Sequence, residues 1–283
     1  MAEVMRTSKA AWPIQGLIKH FRPEIGAADS LGQGWRDTGG SGVRSFTLVI
    51  CAALIVIAFP LNAAEKSDPK DIAANRKIMA NFARCVVDTQ LKKATEVIVA
   101  NIDNSGIQKR YGLLIDGECL AKTADVATLT MGGDLFRYAL ADAFFQKNLA
   151  RKTLLDFAQV PKLAHLSFGD RAAFENALTK ITNKRKRDKM QYDFDEYNGT
   201  VYLSRYGECV VRLNPAAARN LLLTPVASPD EAKAIGPLRP ALAECLMPGR
   251  TVSFNAAMVR GISAINYVRL AMSMPAIVSE GAR

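Results

Sequence analysis

Cysteine carries the most distinctive chemistry in this sequence, because the four copies that follow residue 64 are spaced alike in two parts of the chain. Cys85 and Cys119 are separated by 34 residues, and Cys209 and Cys245 by 36. An even number of cysteines in an exported chain is typical of a disulfide framework. The spacing favours pairing within each part, Cys85 with Cys119 and Cys209 with Cys245. Free, buried cysteines are the alternative.

Other residues that could do chemistry are few. His165 is the only histidine after residue 64, which excludes a metal site with two histidine ligands from that part of the chain. The glycine motifs of nucleotide-binding sites and the nucleophile elbow of serine hydrolases are absent from the sequence. We therefore predict no catalytic residue, no metal ligand and no cofactor, and we expect His165 to be a partly buried or surface side chain rather than a general base.

Two carboxylates and two arginines stand in equivalent places. Glu118 and Glu244 each precede the second cysteine of a pair, and Arg137 and Arg260 lie in apolar stretches further on. Because a buried charge needs a partner, we interpret them as one structural ion pair between Glu and Arg in each part. The alternative is a carboxylate-based hydrolase, in which Glu118 and Glu244 face one cleft as an acid and a base.

A run of basic residues between the two parts is more typical of a solvated helix end than of a binding site, and anion binding to an anionic envelope surface is the second hypothesis. No nucleic acid partner is expected for an exported chain. Asp193 and Asp195 have the spacing of the first two ligands of an EF-hand loop, but Tyr197 and Asn198 do not continue that motif. The basic residues are Lys184, Arg185, Lys186, Arg187 and Lys189.

The sequence around the cysteines recurs with an offset close to 124 residues. The stretch 82–87 (FARCVV) resembles 206–211 (YGECVV), and Glu-Cys-Leu occurs at both 118–120 and 244–246. A unit of this length exceeds the 20 to 50 residues of a solenoid repeat. We therefore predict two duplicated halves, each stapled by one disulfide.

The elements that must position these residues are predicted to be helices, so the fold class is mainly α. Asp68-Pro69, Asn214-Pro215 and Ser228-Pro229 are typical helix starts, with a capping side chain before a proline. Ser253 is expected to cap a long helix near the C-terminus. The clearest β-like stretch is 200–203, which is too short to build a sheet.

The N-terminal region predicts export. Residues 46–59 form an apolar run of 14 residues between Arg44 and a small-residue zone, as in a secretory signal peptide. We expect a signal peptide at 43–64, cleaved near Ala63 or Ala64, and hypothesise that translation starts at Val43, which leaves the 1–42 leader untranslated. The alternative is an uncleaved anchor in the inner membrane.

These patterns divide the rest of the chain into helical repeat 1 at 65–152, a basic linker at 153–197 and helical repeat 2 at 198–283. The 283 residues are 49% hydrophobic with a net charge of +10, of which about +8 remains after removal of residues 1–64. We expect a periplasmic or secreted binding or structural module. A membrane-anchored periplasmic domain is the alternative.

Overall fold

The computed structural model describes residues 68–111, 117–123, 133–248 and 252–274. Most of these residues are helical, and none of them belongs to a β-strand. The prediction of a mainly α fold is therefore confirmed. The expected leader, signal peptide, cleavage site and start at Val43 lie outside the described residues.

The described residues of the first half form five helices, and the first of them starts at a local sequence signal. The side chain of Asp68 accepts a hydrogen bond from the backbone N–H of Lys70 (2.8 Å) at the start of the first helix, and Pro69 occupies its first position. The helices are α1 (Pro69–Thr89), α2 (Leu91–Val99), α3 (Asn104–Tyr111), α4 (Gly117–Thr123) and α5 (Gly133–Asn148).

The remaining described residues form six α-helices and one short 3₁₀ helix. Asn214 and Ser228 cap two of them with a side-chain oxygen, as the sequence predicts. These α-helices are α6 (Arg171–Thr179), α7 (Lys184–Leu213), α8 (Pro215–Leu223), α9 (Pro229–Ala234), α10 (Arg239–Glu244) and α11 (Ala256–Met272), and the 3₁₀ helix is Gly236–Leu238.

The duplication is visible in the order of the helices. Helix α1 corresponds to the C-terminal part of α7, α2 to α8, α4 to α10 and α5 to α11. Disulfide bonds join Cys85 to Cys119 and Cys209 to Cys245, so each half has one. The prediction of two duplicated, disulfide-stapled helical halves is confirmed.

The core lies where α5 and α11 pack against each other. Helix α11 is buried from Val259 to Ala271, and α5 from Leu140 to Phe145. The two helices approach closely at Tyr138 and Gly261, where a Cβ atom added to the glycine would lie 2.5 Å from Tyr138 Cδ2. Tyr138 and Gly261 are related by the same offset of 123 residues as the two arginines, so equivalent helix positions of the two halves meet at this crossing.

Three features differ from the expectations. Residues 200–203 are helical within α7, because Val201 and Leu203 are buried on a helix face and tertiary packing overrides their β propensity. Asn255, rather than Ser253, caps α11. The segment expected as a linker contains α6 and the first part of α7, and the expected boundary at 197/198 falls inside α7.

A strap, residues 153–169, connects the halves without a helix and runs antiparallel to α7. The ring of Phe157 anchors the strap against Tyr267 of α11, with ring centroids 5.0 Å apart in an edge-to-face arrangement. Both side chains are almost fully buried. The strap is therefore a packed part of the second half.

Candidate functional site

The two arginines at equivalent places, Arg137 and Arg260, both donate hydrogen bonds to carbonyls at the end of a helix. Arg137 Nη2 donates to the carbonyl oxygens of Ile98 (3.4 Å) and Ala100 (2.7 Å) at the end of α2. Arg260 donates in the same way to the carbonyls of Leu221 and Leu222 at the end of α8, both at 3.1 Å. Each guanidinium donates to backbone carbonyls at a helix C-terminus, where a positive charge is favoured.

The expected glutamate partners do not bind these arginines in the structure. Glu118 is an exposed side chain of α4 and lies 3.7 Å from Lys122 Nζ, while Glu244 is exposed on α10. Charged side chains at the surface of short helices keep their hydration, so they gain little from turning inward. Neither glutamate lines the two cavities described below.

The carboxylate that binds Arg260 comes instead from the first half. Arg260 Nε and Nη2 donate to the two oxygens of Asp142 at 2.8 and 2.9 Å, a bidentate geometry. Arg76 makes a second bidentate contact with Glu231 at 2.7 and 2.8 Å, and Arg260 lies 3.5 Å from the same carboxylate. Burial raises the pKa of Asp142, and the contact with Arg260 opposes this shift.

A cavity of about 50 Å³ opens beside this network, with Arg76, Tyr138, Asp142 and Arg260 among its lining residues. A space of that volume has room for one or two water molecules. The network balances two guanidinium groups with two carboxylates, so it carries no net charge toward a ligand. A second, shallow cavity lies on the surface between α8 and α9.

Sequence reasoning missed a cluster of polar side chains around His165. His165 Nε2 donates to Glu208 Oε2 at 2.5 Å, and its Nδ1 lies 2.8 Å from Ser204 Oγ. Glu208 also accepts from the backbone N–H of Leu163 and from Arg212 Nε, at 3.1 and 2.8 Å. Burial would raise the pKa of Glu208, but these three hydrogen bonds lower it to about 2.

Neighbouring side chains extend the cluster along the strap. Arg212 donates to the carbonyls of Phe157, Val160 and Pro161 at 2.7 to 2.9 Å. Arg269 of α11 donates to the carbonyl of Ala164 at 2.6 Å. Because the strap has no helix or sheet partner for its backbone, these side chains supply the hydrogen bonds that its buried polar groups require.

Ser204, His165 and Glu208 have the composition of a serine hydrolase triad, but their surroundings favour a clamp. Ser204 Oγ accepts a hydrogen bond from Arg269 Nη1 at 3.4 Å, and Glu208 also accepts hydrogen bonds from Arg212 and the strap backbone. Neither described cavity is lined by Ser204 or His165. The arrangement therefore holds the strap against α7 and α11.

A sequence signal for part of this cluster was present. Glu208 precedes Cys209 in a stretch where Val210 and Val211 are buried, and Arg269 lies within the apolar part of α11. A charge in such a setting predicts a buried partner. The sequence does not predict that the partner of Glu208 is His165, because His165 lies in a segment of irregular backbone without a periodic pattern.

The predicted anion-binding residues form the N-terminal end of α7. We call Lys184, Arg185, Lys186, Arg187 and Lys189 the basic end, and all five side chains are exposed. Lys184 pairs with Asp188 at 2.6 Å and Lys189 with Asp193 at 2.5 Å. Arg185, Lys186 and Arg187 have no ion-pair partner among the residues that the structure describes.

The charge of the basic end is unusual for its place in the helix. The first turn of α7 contains no acidic residue, although the N-terminus of a helix carries a partial positive charge. Asn183 caps the helix by accepting from the backbone N–H of Lys186 at 3.1 Å. Helix α6 packs beside this region, where the rings of Phe174 and Phe194 stack at 3.9 Å.

The acidic residues that follow the basic end are engaged locally. Asp193 binds Lys189, and Asp195 accepts from Gln191 at 2.9 Å. Within the described ranges, no group of three or more His, Cys, Asp or Glu residues is placed to hold a metal ion. In the same part of the chain, no helix has both the length and the apolar character to span a bilayer.

No family model, curated protein or solved structure matches this chain.

Proposed function

We propose that the protein is an exported binding module that attaches to an anionic envelope surface through the basic end of α7. The observation that carries this proposal is the exposed set of Arg185, Lys186 and Arg187, which lack ion-pair partners among the described residues. Positive charges at a helix N-terminus destabilise the helix, so a bound anionic surface would relieve their mutual repulsion.

The disulfides support the part of the proposal that concerns location. Cys85–Cys119 and Cys209–Cys245 are the kind of bond that persists in oxidising compartments such as the periplasm or the extracellular space. The apolar run at 46–59 supplies the export signal in this proposal. The envelope partner would be the phosphate-bearing headgroups of its lipids.

Vesicle cosedimentation tests the proposal. We expect the protein to bind vesicles that contain 30% anionic phospholipid, more weakly at high than at low salt, and not to bind zwitterionic vesicles. Each basic residue near such a surface contributes about 1 kcal/mol, so the R185Q/K186Q/R187Q variant should bind roughly 100-fold more weakly.

A matched control removes the same charge elsewhere. Lys77, Lys92 and Lys93 are exposed on α1 and α2, and the K77Q/K92Q/K93Q variant should bind within about twofold of the wild type. An equal loss in both triple variants would mean that net charge alone drives binding. That result, or a wild-type protein that ignores anionic vesicles, would overturn the proposal.

A further inference from the structure

Helix α6 and the first part of α7 form a helical hairpin, and the basic end lies at its tip. The two helices are joined by residues 180–183, which directly precede the basic end, and we call residues 180–189 the hairpin tip. Phe174 is the only buried residue from 170 to 198, and its ring stacks on Phe194. The hairpin tip therefore has no buried side chain of its own.

The hairpin tip lies well beyond the packed part of α7. The first buried residue of this helix is Gly199, so about 15 Å of helix separate it from Lys189. Helix α6 packs mainly against α7, and all residues from 182 to 189 are exposed. Segments with few buried contacts open most often within an otherwise folded protein. We therefore expect the hairpin tip to unfold locally while the core stays folded.

The charges of the hairpin tip lower the stability of this helix end further. Five cations stand within residues 184–189, and the first turn of α7 has no acidic residue to offset the partial positive charge of a helix N-terminus. The ion pairs Lys184–Asp188 and Lys189–Asp193 are exposed, and such pairs contribute little to stability. Opening the tip therefore breaks backbone hydrogen bonds but little tertiary structure.

An opened tip has the extended chain and the side chains that a protease of basic specificity requires. Exposed tips between packed elements are preferred sites of proteolytic cleavage. One class of endoprotease holds a basic side chain beside an acid in its specificity pocket. The hairpin tip presents six such side chains, those of the basic end and that of Lys180. We propose that the hairpin tip is a cleavage site for an endoprotease of this class, and that the product is a two-chain protein whose halves stay assembled.

Cleavage divides the chain into two fragments that neither described disulfide bond joins. Cys85–Cys119 lies before the cut and Cys209–Cys245 after it. Water is the co-reactant: the peptide C–N bond after a basic residue breaks, the carbonyl carbon gains the hydroxyl group, and the released amine gains the hydrogen. Cleavage does not depend on envelope binding, because it requires exposure of the hairpin tip rather than affinity for anions.

The two fragments are held together by contacts that cross the cut. Helix α5 of the first fragment packs along α11 of the second, where Asp142 binds Arg260. The strap belongs to the first fragment, but its hydrogen bonds go to the second, since Arg212 donates to three of its carbonyls and His165 binds Glu208. All of these contacts lie outside the hairpin tip, so cleavage leaves them in place.

Limited trypsin digestion of the native, disulfide-bonded chain tests the proposal. We expect the first cut after residue 67 to fall within the hairpin tip. Two fragments should then separate on a denaturing gel without reductant, whereas size-exclusion chromatography should show one species of unchanged size and circular dichroism an unchanged helix content. A first cut after any other basic residue beyond residue 67, or fragments that separate under native conditions, would overturn the proposal.

A substitution away from the cut tests whether local opening controls it. Phe174→Ala removes the buried ring that joins α6 to α7 and should increase the rate of the first cut about tenfold, because the open population rises. Asn176→Ala, at an exposed position of the same helix, is the matched control and should change the rate by less than about twofold. An unchanged rate in Phe174→Ala, or an equal increase in both variants, would contradict the proposal.

Discussion

Glu208 accepts more hydrogen bonds than any other carboxylate beside the strap. It accepts hydrogen bonds from His165, Arg212 and the backbone of Leu163, so its ionised form is bound on both oxygens. The folded-state pKa of about 2 lies below the ordinary value of 4.5. Such a depressed pKa means that ionised Glu208 stabilises the folded state above pH 4.5, and that this contribution is lost as the pH falls toward 2.

We therefore expect acid to release the strap. The free energy of unfolding should fall between pH 4.5 and pH 2, and Glu208→Gln should remove a part of this dependence while lowering stability at pH 7 by about 1 to 3 kcal/mol. Urea unfolding at pH 7, 4.5 and 3 provides the measurement. Glu175→Gln, at an exposed pair with Arg171, is the control and should change stability by less than 1 kcal/mol. Identical pH profiles for wild type and Glu208→Gln would contradict the prediction.

The residue types at the candidate sites could be predicted from the sequence, but their partners could not. Arg137 and Arg260 were identified as structurally important because they stand in apolar stretches. Asp142, however, reaches Arg260 across 118 residues of sequence, and Arg137 binds backbone carbonyls, which carry no sequence signature. Long-range pairing of charges depends on how the halves pack, which a single sequence does not encode locally.

At the scale of elements, the crossing of α5 and α11 depends on a missing side chain. Gly261 lets α11 approach Tyr138, and an added Cβ would lie 2.5 Å from Cδ2 and 2.7 Å from Cγ of that ring. Glycine inside a helix normally costs about 1 kcal/mol relative to alanine. Its use at this crossing is explained by the close contact, which outweighs the loss of helix propensity.

Gly261→Ala should therefore destabilise the protein by about 1 to 3 kcal/mol, although alanine is the better helix former. Gly236→Ala is the matched control, because a Cβ at Gly236 would meet no atom within 4 Å. That substitution should leave stability within about 1 kcal/mol of the wild type. Urea unfolding of both variants tests this, and a stabilised Gly261→Ala would show that the helices separate without cost.

Helix starts were the most predictable elements, since a cap and a proline act within a few residues. Asn214 caps α8 through its side chain, accepting from Ala217 at 3.0 Å, as its sequence signal indicates. The prediction of a β-like stretch at 200–203 was wrong, because branched side chains also pack well in a buried helix. From the sequence, the strap could be predicted only as a segment without helical periodicity. Its packing could not be predicted, because its backbone hydrogen bonds go to side chains of helices distant in sequence.

At the scale of the whole molecule, the two halves are bound together by more than the chain. Arg260 of the second half binds Asp142 of the first, Arg76 of the first binds Glu231 of the second, and α5 packs along α11. If one half unfolded, the other half would lose these buried contacts and so part of its own stability. The halves should therefore unfold as one cooperative unit.

Removal of either disulfide tests this cooperativity. C85A/C119A and C209A/C245A should each lower the free energy of unfolding by about 2 to 4 kcal/mol, since the closed loops have similar lengths of 34 and 36 residues. Each variant should show a single transition by far-ultraviolet and near-ultraviolet circular dichroism. A two-step transition in which only one step moves would mean that the halves fold independently.

The contact between Tyr138 and Gly261 places equivalent helix positions face to face, as in an isologous dimer, where one surface patch meets its own copy. In a true homodimer both copies of such a site must carry the same residues. In a single chain, the two copies can carry different residues. Arg260 is bound by the carboxylates of Asp142 and Glu231, whereas Arg137 binds backbone carbonyls, an asymmetry that two identical subunits could not encode.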